Sequence, residues 1–214
     1  MIASQTSECS CKHIVSVSLG SSERNAKSTL QLKGQTFIIE RLGTDGNLQK
    51  ARQLLEKLDG RVDALGLGGT DLYVYAGGRR YTFRESAKLI ENVKKTPVLD
   101  GSGLKNSLER ILINRLAADK IIDFQGKKVL MVCGVDRFGM AEALVANGAD
   151  VTFGDLIFGL NWEHPIKSLQ TLDSFAKLLA PLLTKLPVRW FYPMGAKQSE
   201  RKPQHQGYFC LLYT

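Results

Sequence analysis

The sequence lacks any apolar run of the roughly 20 residues that a membrane-spanning helix needs. The segment that comes nearest, residues 178–183, is short and is interrupted by Pro181. Residues 1–11 are polar and lack the apolar core of a secretory signal. We therefore expect a cytoplasmic protein with no membrane partner, and we predict that residues 1–11 form a disordered leader.

Cysteine is sparse, and its spacing does not suit a metal site. The chain has 4 cysteines, and Cys9 and Cys11 are separated by a single residue. Zinc sites instead use pairs spaced by two to four residues, with a second pair to complete the ligand set. The sequence predicts neither a metal site nor a disulfide framework.

Acidic residues are outnumbered by basic ones, 21 against 29, which gives a formal net charge of +8. The basic residues are scattered, and no zinc finger, helix-turn-helix or aromatic-interleaved RNA motif accompanies them. We expect no specific nucleic-acid partner. A basic surface of this kind favours a small anionic metabolite or cofactor, and an oligomer is compatible with it.

The clearest pattern lies between residues 127 and 155. Val129–Cys133 is a continuous apolar run, typical of a strand that is buried on both faces of a parallel sheet. A loop follows from Gly134 to Gly139, then a helical segment, and residues 149–153 read as a second strand. The sequence predicts a βαβ unit with a right-handed crossover.

The loop of this βαβ unit is a candidate dinucleotide site. A helix N-terminus offers free backbone N–H groups to a pyrophosphate, and Asp155 stands where such folds carry the acid that binds the ribose. That acid favours NAD over NADP. Only two glycines of the G-x-G-x-x-G fingerprint are present, so the loop is equally typical of an ordinary strand-to-helix turn. The candidate cofactor-binding residues are Gly134, Asp136, Arg137, Phe138, Gly139 and Asp155.

The rest of the chain alternates predicted strands with amphipathic helices, which indicates an α/β fold. Residues 166–186 are predicted to be helical with a kink at Pro181, and residues 188–192 are predicted to be a strand. One long helix is predicted over residues 102–120. Its apolar face, which we expect to pack in a core between two domains, consists of Leu104, Leu108, Ile111 and Leu112.

We therefore predict two small α/β domains, the second Rossmann-like with a parallel sheet. The predicted segments are the leader 1–11, an N-terminal substrate-type domain 12–101, a linking helix 102–120 and a dinucleotide-binding-type domain 121–214. The second domain has fewer strands than a full dinucleotide domain needs. The abrupt apolar ending fits a truncated product, or a short form that buries Tyr208–Tyr213 against a partner.

This order of elements resembles the shikimate/quinate dehydrogenases. The matching segments are the Asp-Gly-x-Gly loop in Leu99–Gly103, then Leu108–Arg110, and the strand start Gly126–Val129. The chain is most similar to bacterial quinate 5-dehydrogenases, over residues 13–198. The motifs that carry this similarity are VSVSLGSS, GLGGTDLY, AGGRRYTFR, VLDGSGLKNSLER and VDRFGMAEAL.

The resemblance implies an NAD(P)-dependent oxidation of a cyclic polyol carboxylate such as quinate or shikimate. Asp100 matches the family's catalytic aspartate, and a nearby lysine, Lys105 or Lys95, would handle the hydroxyl proton with it. Ser16 and Ser18 correspond to the family's substrate-binding serines. Without a catalytic role, Asp100 is expected to be a turn residue that accepts hydrogen bonds from the next helix.

The AGGRRYTFR segment would supply the remaining substrate contacts. Arg79 or Arg80 would bind the substrate carboxylate through two parallel hydrogen bonds, and Thr82 stands in for a threonine of the family's lysine motif, which this chain lacks. Val98 and Leu99 replace the family's Asn and Thr before the aspartate. These departures keep a second hypothesis open, a non-catalytic Rossmann-like module that binds a nucleotide or scaffolds a partner.

Overall fold

The computed structural model describes residues 11–190, and it is a mixed α/β structure. The predicted α/β class is confirmed. Most of the predicted leader and the apolar segment Tyr208–Tyr213 lie outside the described residues. None of the helices between residues 11 and 190 combines the length and apolar character needed to cross a bilayer.

Strands and helices alternate along the chain. The strands are β1 (Lys12–Ser18), β2 (Ala26–Leu32), β3 (Gln35–Gly43), β4 (Ala64–Gly68), β5 (Tyr73–Ala76), β6 (Arg79–Thr82), β7 (Val98–Leu99), β8 (Lys128–Met131) and β9 (Asp150–Phe153). The α-helices are α1 (Leu48–Leu58), α2 (Arg84–Leu89), α3 (Ser102–Asn106), α4 (Leu108–Ala118), α5 (Phe138–Ala146) and α6 (Leu169–Leu183). A π-helical segment, Asp155–Gly159, follows β9.

The described chain forms two compact units. The first contains residues 11–70 and 88–100, and the second contains residues 71–87 and 101–190. The division drawn from the sequence assigned all of residues 12–101 to the first domain. The difference is the hairpin of β5 and β6 with the start of α2, which belongs to the second compact unit.

The first unit is built on a five-stranded sheet in the order β2-β3-β1-β4-β7. The strands are parallel except β2, which forms an antiparallel hairpin with β3. The turn of this hairpin is at Lys33 and Gly34, which both have positive φ. Asn47 caps the start of α1, because its side chain accepts a hydrogen bond from the Lys50 amide at 2.9 Å.

The second unit contains the predicted βαβ pattern. β8 and β9 pair in parallel, with Val129 opposite Val151, and α5 connects them. Phe138, Leu144 and Phe153 are buried in the core of this unit. The strand is shorter than predicted, since β8 ends at Met131 and the run Val129–Cys133 extends two residues into the loop.

The prediction of one long helix over residues 102–120 is wrong, because α3 ends at Asn106 and α4 begins at Leu108. The four residues predicted to face a core are each at least half exposed, Leu108 at 55% among them. The helix packs through a different stripe, since Ile113 is buried and Leu116 and Ala117 pack against the same core. α4 therefore carries two apolar faces, and the prediction from sequence periodicity named the exposed one.

The last described helix agrees with the predicted pattern, and the last predicted strand does not. α6 contains Pro181, and the Ser168 side chain caps its start by accepting from the Thr171 amide at 3.1 Å. The segment Val188–Trp190 is a 3₁₀ turn rather than a strand, and the end of the predicted strand lies outside the described residues.

Candidate functional site

The polar centre of the second unit is the ammonium group of Lys105, which lies between two carboxylates. Lys105 is on α3, Asp71 lies between β4 and β5, and Asp136 is in the loop between β8 and α5. The Lys105 Nζ atom is 2.8 Å from Asp71 Oδ2, and it is 2.8 and 2.9 Å from the two carboxylate oxygens of Asp136. We call these residues the Lys105 cluster.

The Lys105 cluster is partly shielded from solvent. The side-chain exposure is 9% for Asp71, 22% for Lys105 and 28% for Asp136. Burial lowers the pKa of Lys105, but the hydrogen bonds and charges of Asp136 and Asp71 outweigh it and leave that pKa above its ordinary value. Lys105 is therefore a cation at neutral pH, and with two carboxylates the cluster has one net negative charge.

A narrow cleft lies beside Lys105, and the space between its walls is too tight for a water molecule. The Ser102 hydroxyl donates to the Tyr73 carbonyl at 2.8 Å and so ties α3 to β5 at the cleft wall. The residues that line the cleft are Tyr73, Val74, Tyr75, Ser102, Lys105, Asn106, Asp136 and Phe138.

Tyr73 connects this cleft to the predicted carboxylate-binding arginines. The guanidinium carbon of Arg80 lies 3.8 Å from the centroid of the Tyr73 ring, which is a cation–π contact. Thr82 is the cross-strand partner of Tyr73, and Arg79 is on the same strand, β6. Arg79, Arg80 and Thr82 are all exposed. The structure thus places these three residues on the same hairpin as Tyr73.

Asp155 lies at the tip of β9, as expected, but its carboxylate is bound by the neighbouring loop. Its two oxygens accept hydrogen bonds from the backbone amides of Gly134 and Val135, each at 2.9 Å. Burial raises the pKa of Asp155 above its ordinary value, although the two amides favour the ionised form. The predicted ribose-binding carboxylate is thus bound by backbone amides of the loop that was predicted to hold a cofactor.

The other predicted cofactor residues of this loop also have partners within the unit. A Cβ atom on Gly134 would lie 2.6 Å from the Phe153 ring, and one on Gly139 would lie 2.6 Å from the Asn106 carbonyl oxygen. Phe138 is buried, and Arg137 forms an ion pair with Glu109. The two glycines therefore permit close packing of the loop and of α5 within the unit.

Cys133 directly precedes Gly134 at the start of this loop. The residue is exposed, although many protein atoms surround its thiol. Burial raises the pKa of the thiol strongly, and the nearby charges of Asp155 and Asp136 raise it further. The raised pKa disfavours the thiolate, which is the nucleophilic form of cysteine.

Three predicted site residues belong to the first unit. Ser18 is buried, and its hydroxyl oxygen accepts from the Gly20 amide at 3.1 Å and from the Arg41 guanidinium at 3.0 Å. Ser16 is on the same strand, and Asp100 follows β7 and is half-buried. The carboxylates that bind Lys105 are those of Asp71 and Asp136, whereas the sequence analysis had paired this lysine with Asp100.

Sequence reasoning missed Asp71 of the Lys105 cluster and Tyr73 of the cleft wall. Asp71 follows the glycine-rich end of β4, and a polar residue just beyond a parallel strand is a recognisable signal for a site. Among residues 11–190, no three His, Cys, Asp or Glu side chains are grouped in a way that would hold a metal ion.

Two family models match the sequence, and the boundary between them lies near the start of α3. The chain belongs to the family described as domain of unknown function DUF8754, whose model matches residues 103–210. A second family model, domain of unknown function DUF8753, matches residues 13–100. No curated protein and no solved structure matches the chain.

Proposed function

We propose that the chain acts on a cyclic polyol carboxylate such as quinate or shikimate, as the substrate half of an NAD(P)-dependent oxidoreductase, and that Lys105 handles the proton. The observation that carries this proposal is the Lys105 ammonium group at a cleft between two carboxylates, 2.8 Å from each. An ammonium group has three N–H donors. All three point at carboxylate oxygens, one at Asp71 and two at Asp136, so a substrate oxygen would replace one of the two Asp136 oxygens.

The charge of Lys105 determines whether it donates or accepts a proton. Its raised pKa keeps it protonated at neutral pH, so it donates a proton to an oxygen that is gaining negative charge. If an external nicotinamide delivered a hydride to the carbon of a ketone, the carbonyl oxygen would take its proton from the Lys105 nitrogen. Asp71 and Asp136 then hold the lysine in place while it regains a proton from solvent.

Arg80 is the candidate group for the substrate carboxylate. It is exposed, and its guanidinium carbon lies over the ring of Tyr73, which lines the cleft. A guanidinium group binds a carboxylate through two parallel hydrogen bonds. Because the Lys105 cluster is net negative, an anionic substrate would direct its hydroxyl groups to Lys105 and its carboxylate to Arg80.

The loop between β8 and α5 does not fit the pyrophosphate of a nicotinamide cofactor. Its first two amides already bind Asp155, and Gly139 is packed against Asn106. The parallel pair β8–β9 supports the Rossmann-like character proposed for this unit, without the free amides of a dinucleotide site.

The occupied loop favours a second candidate function, a non-catalytic module that binds the same small anion without converting it. Calorimetric titration with quinate and shikimate tests the binding that both candidates share. We expect saturable binding to the natural chain, weaker binding to Arg80→Met, and unchanged binding to Lys127→Met, which removes an exposed lysine just before β8. No saturable binding of either compound by the folded chain would refute the proposal.

Turnover separates the two candidates. The oxidoreductase candidate requires a change in NADH or NADPH absorbance with quinate or its ketone, and this change should disappear in Lys105→Met. Trp162 and Trp190 are both more than half exposed, and their fluorescence reports cofactor binding during the same titrations. Binding of the polyol without cofactor binding or turnover would establish the non-catalytic module.

A further inference from the structure

We propose that the loop between β8 and α5 is an anion-binding site that the chain fills with its own Asp155 carboxylate. Its ligand class would be a small carboxylate or a phosphate group, which enters only when the Asp155 side chain is absent. This inference does not rest on the polyol carboxylate function.

The geometry of the contact is that of a bound anion. Two successive backbone amides, of Gly134 and Val135, point at one carboxylate and donate one hydrogen bond to each oxygen at 2.9 Å. Successive N–H groups that point the same way form concave sites for phosphate and other anions. Here the anion is covalently attached to the chain, 20 and 21 positions further along.

The packing around the carboxylate holds it in this position. Asp155 opens the π-helical segment, and the next two residues, Leu156 and Ile157, are buried. On the other side, Gly134 approaches the Phe153 and Leu172 side chains so closely that a Cβ atom would overlap both. Withdrawing the carboxylate would require the buried residues beside it to move.

The same loop also carries Asp136, which follows Val135 directly and binds Lys105. Asp155 therefore acts as a positioning residue for the carboxylate that holds the lysine. The loop is fixed at one end by Asp155 and at the other by Lys105. This arrangement explains why a loop whose glycines are spaced as in a phosphate-binding turn binds groups of its own chain.

Chemical rescue tests the proposal. In Asp155→Ala the two amides lose their anion, and formate has the size and charge of the missing carboxylate. We expect formate, and separately inorganic phosphate, to raise the melting temperature of Asp155→Ala by several degrees with a saturable dependence. The natural chain should show no such dependence. The matched control is Asp150→Ala, which removes an exposed aspartate at the other end of β9 and should behave like the natural chain.

Three results would overturn the proposal. The first is an equal effect of formate on Asp155→Ala and Asp150→Ala, and the second is the absence of any effect on a folded Asp155→Ala. The third is saturable binding of pyrophosphate to this loop in the natural chain, detected by shifts of the Gly134 and Val135 amide resonances. If Asp155→Ala does not fold, amide hydrogen exchange in the natural chain decides. Slow exchange at both amides supports the proposal, and fast exchange refutes it.

Discussion

Both carboxylate oxygens of Asp136 lie within 2.9 Å of the Lys105 ammonium nitrogen, although 31 positions separate the two residues in the sequence. The contact joins a loop that resembles a cofactor site to a helix that resembles a substrate site. Asp71 completes the group from a third segment of the chain. The loop after β8 thus contributes a carboxylate to the lysine, where the sequence suggested a contact with phosphate.

Replacing Lys105 should destabilise the second unit. Lys105→Met leaves Asp71 and Asp136 facing each other without a cation, and breaking a buried ion pair costs about 3 kcal/mol at the lower end of the measured range. We expect this loss in the free energy of unfolding, measured in urea. The double variant with Asp71→Asn should recover part of it, because one of the two like charges is gone. A loss no larger than that of Lys127→Met would contradict the prediction.

The stability contributed by Lys105 should depend on pH at the alkaline end. The folded pKa of Lys105 is raised, so the folded state keeps the proton to a higher pH than the unfolded chain does. The contribution is complete below the unfolded pKa of about 10.4 and is lost as the pH rises through the folded pKa. The difference in unfolding free energy between the natural chain and Lys105→Met should therefore shrink above that pH. A difference that stays constant across the alkaline range would show that Lys105 is not responsible.

Asp155 should make the free energy of unfolding depend on pH in the acidic range. Its folded pKa is also raised, chiefly by burial, so the folded state binds a proton more readily than the unfolded chain. Stability should therefore fall as the pH rises from about 3.9 through the folded pKa, and stay level above it. Asp155→Asn should remove this slope, whereas Asp150→Asn should retain it. Unfolding in urea at a series of acidic pH values provides the measurement.

Alanine substitutions at two of the glycines should differ sharply in their effect on stability. Gly139→Ala places a Cβ atom 2.6 Å from the Asn106 carbonyl oxygen, so α3 and α5 must move apart. Overpacking of this kind costs about 1–3 kcal/mol. Gly159→Ala meets nothing within 4 Å and should change stability by less than about 0.5 kcal/mol. Equal melting temperatures for the two variants would show that α3 and α5 are not in close contact.

Two large-to-alanine substitutions test which apolar residues form the core. Phe153 is fully buried, so Phe153→Ala should cost about 3–5 kcal/mol. Leu108 is 55% exposed, and Leu108→Ala should cost less than about 1 kcal/mol because little surface is removed from the core. Urea unfolding of both variants gives the comparison. A large loss for Leu108→Ala would show that the exposed stripe of α4 is covered in solution.

The sequence alone determined the local structure wherever one residue pattern has one physical solution. The continuous apolar run before Gly134 predicted a parallel strand, and the pair β8–β9 followed from the pattern around α5. These features depend on residues that are close in the sequence or on the burial of one face of an element. Both produce a recognisable pattern of apolar residues in the sequence.

Tertiary structure decided which face of α4 packs and which partner each polar group has. Leu108 and Ile113 are both apolar, and only packing against α5 selects Ile113 for the core. Asp136 and Asp155 are aspartates beside the same loop, and their roles were set by what the fold brings within hydrogen-bond distance. Asp136 meets the ammonium of Lys105, whereas Asp155 meets two backbone amides. Such contacts join segments far apart in the chain, so no local pattern in the sequence records them.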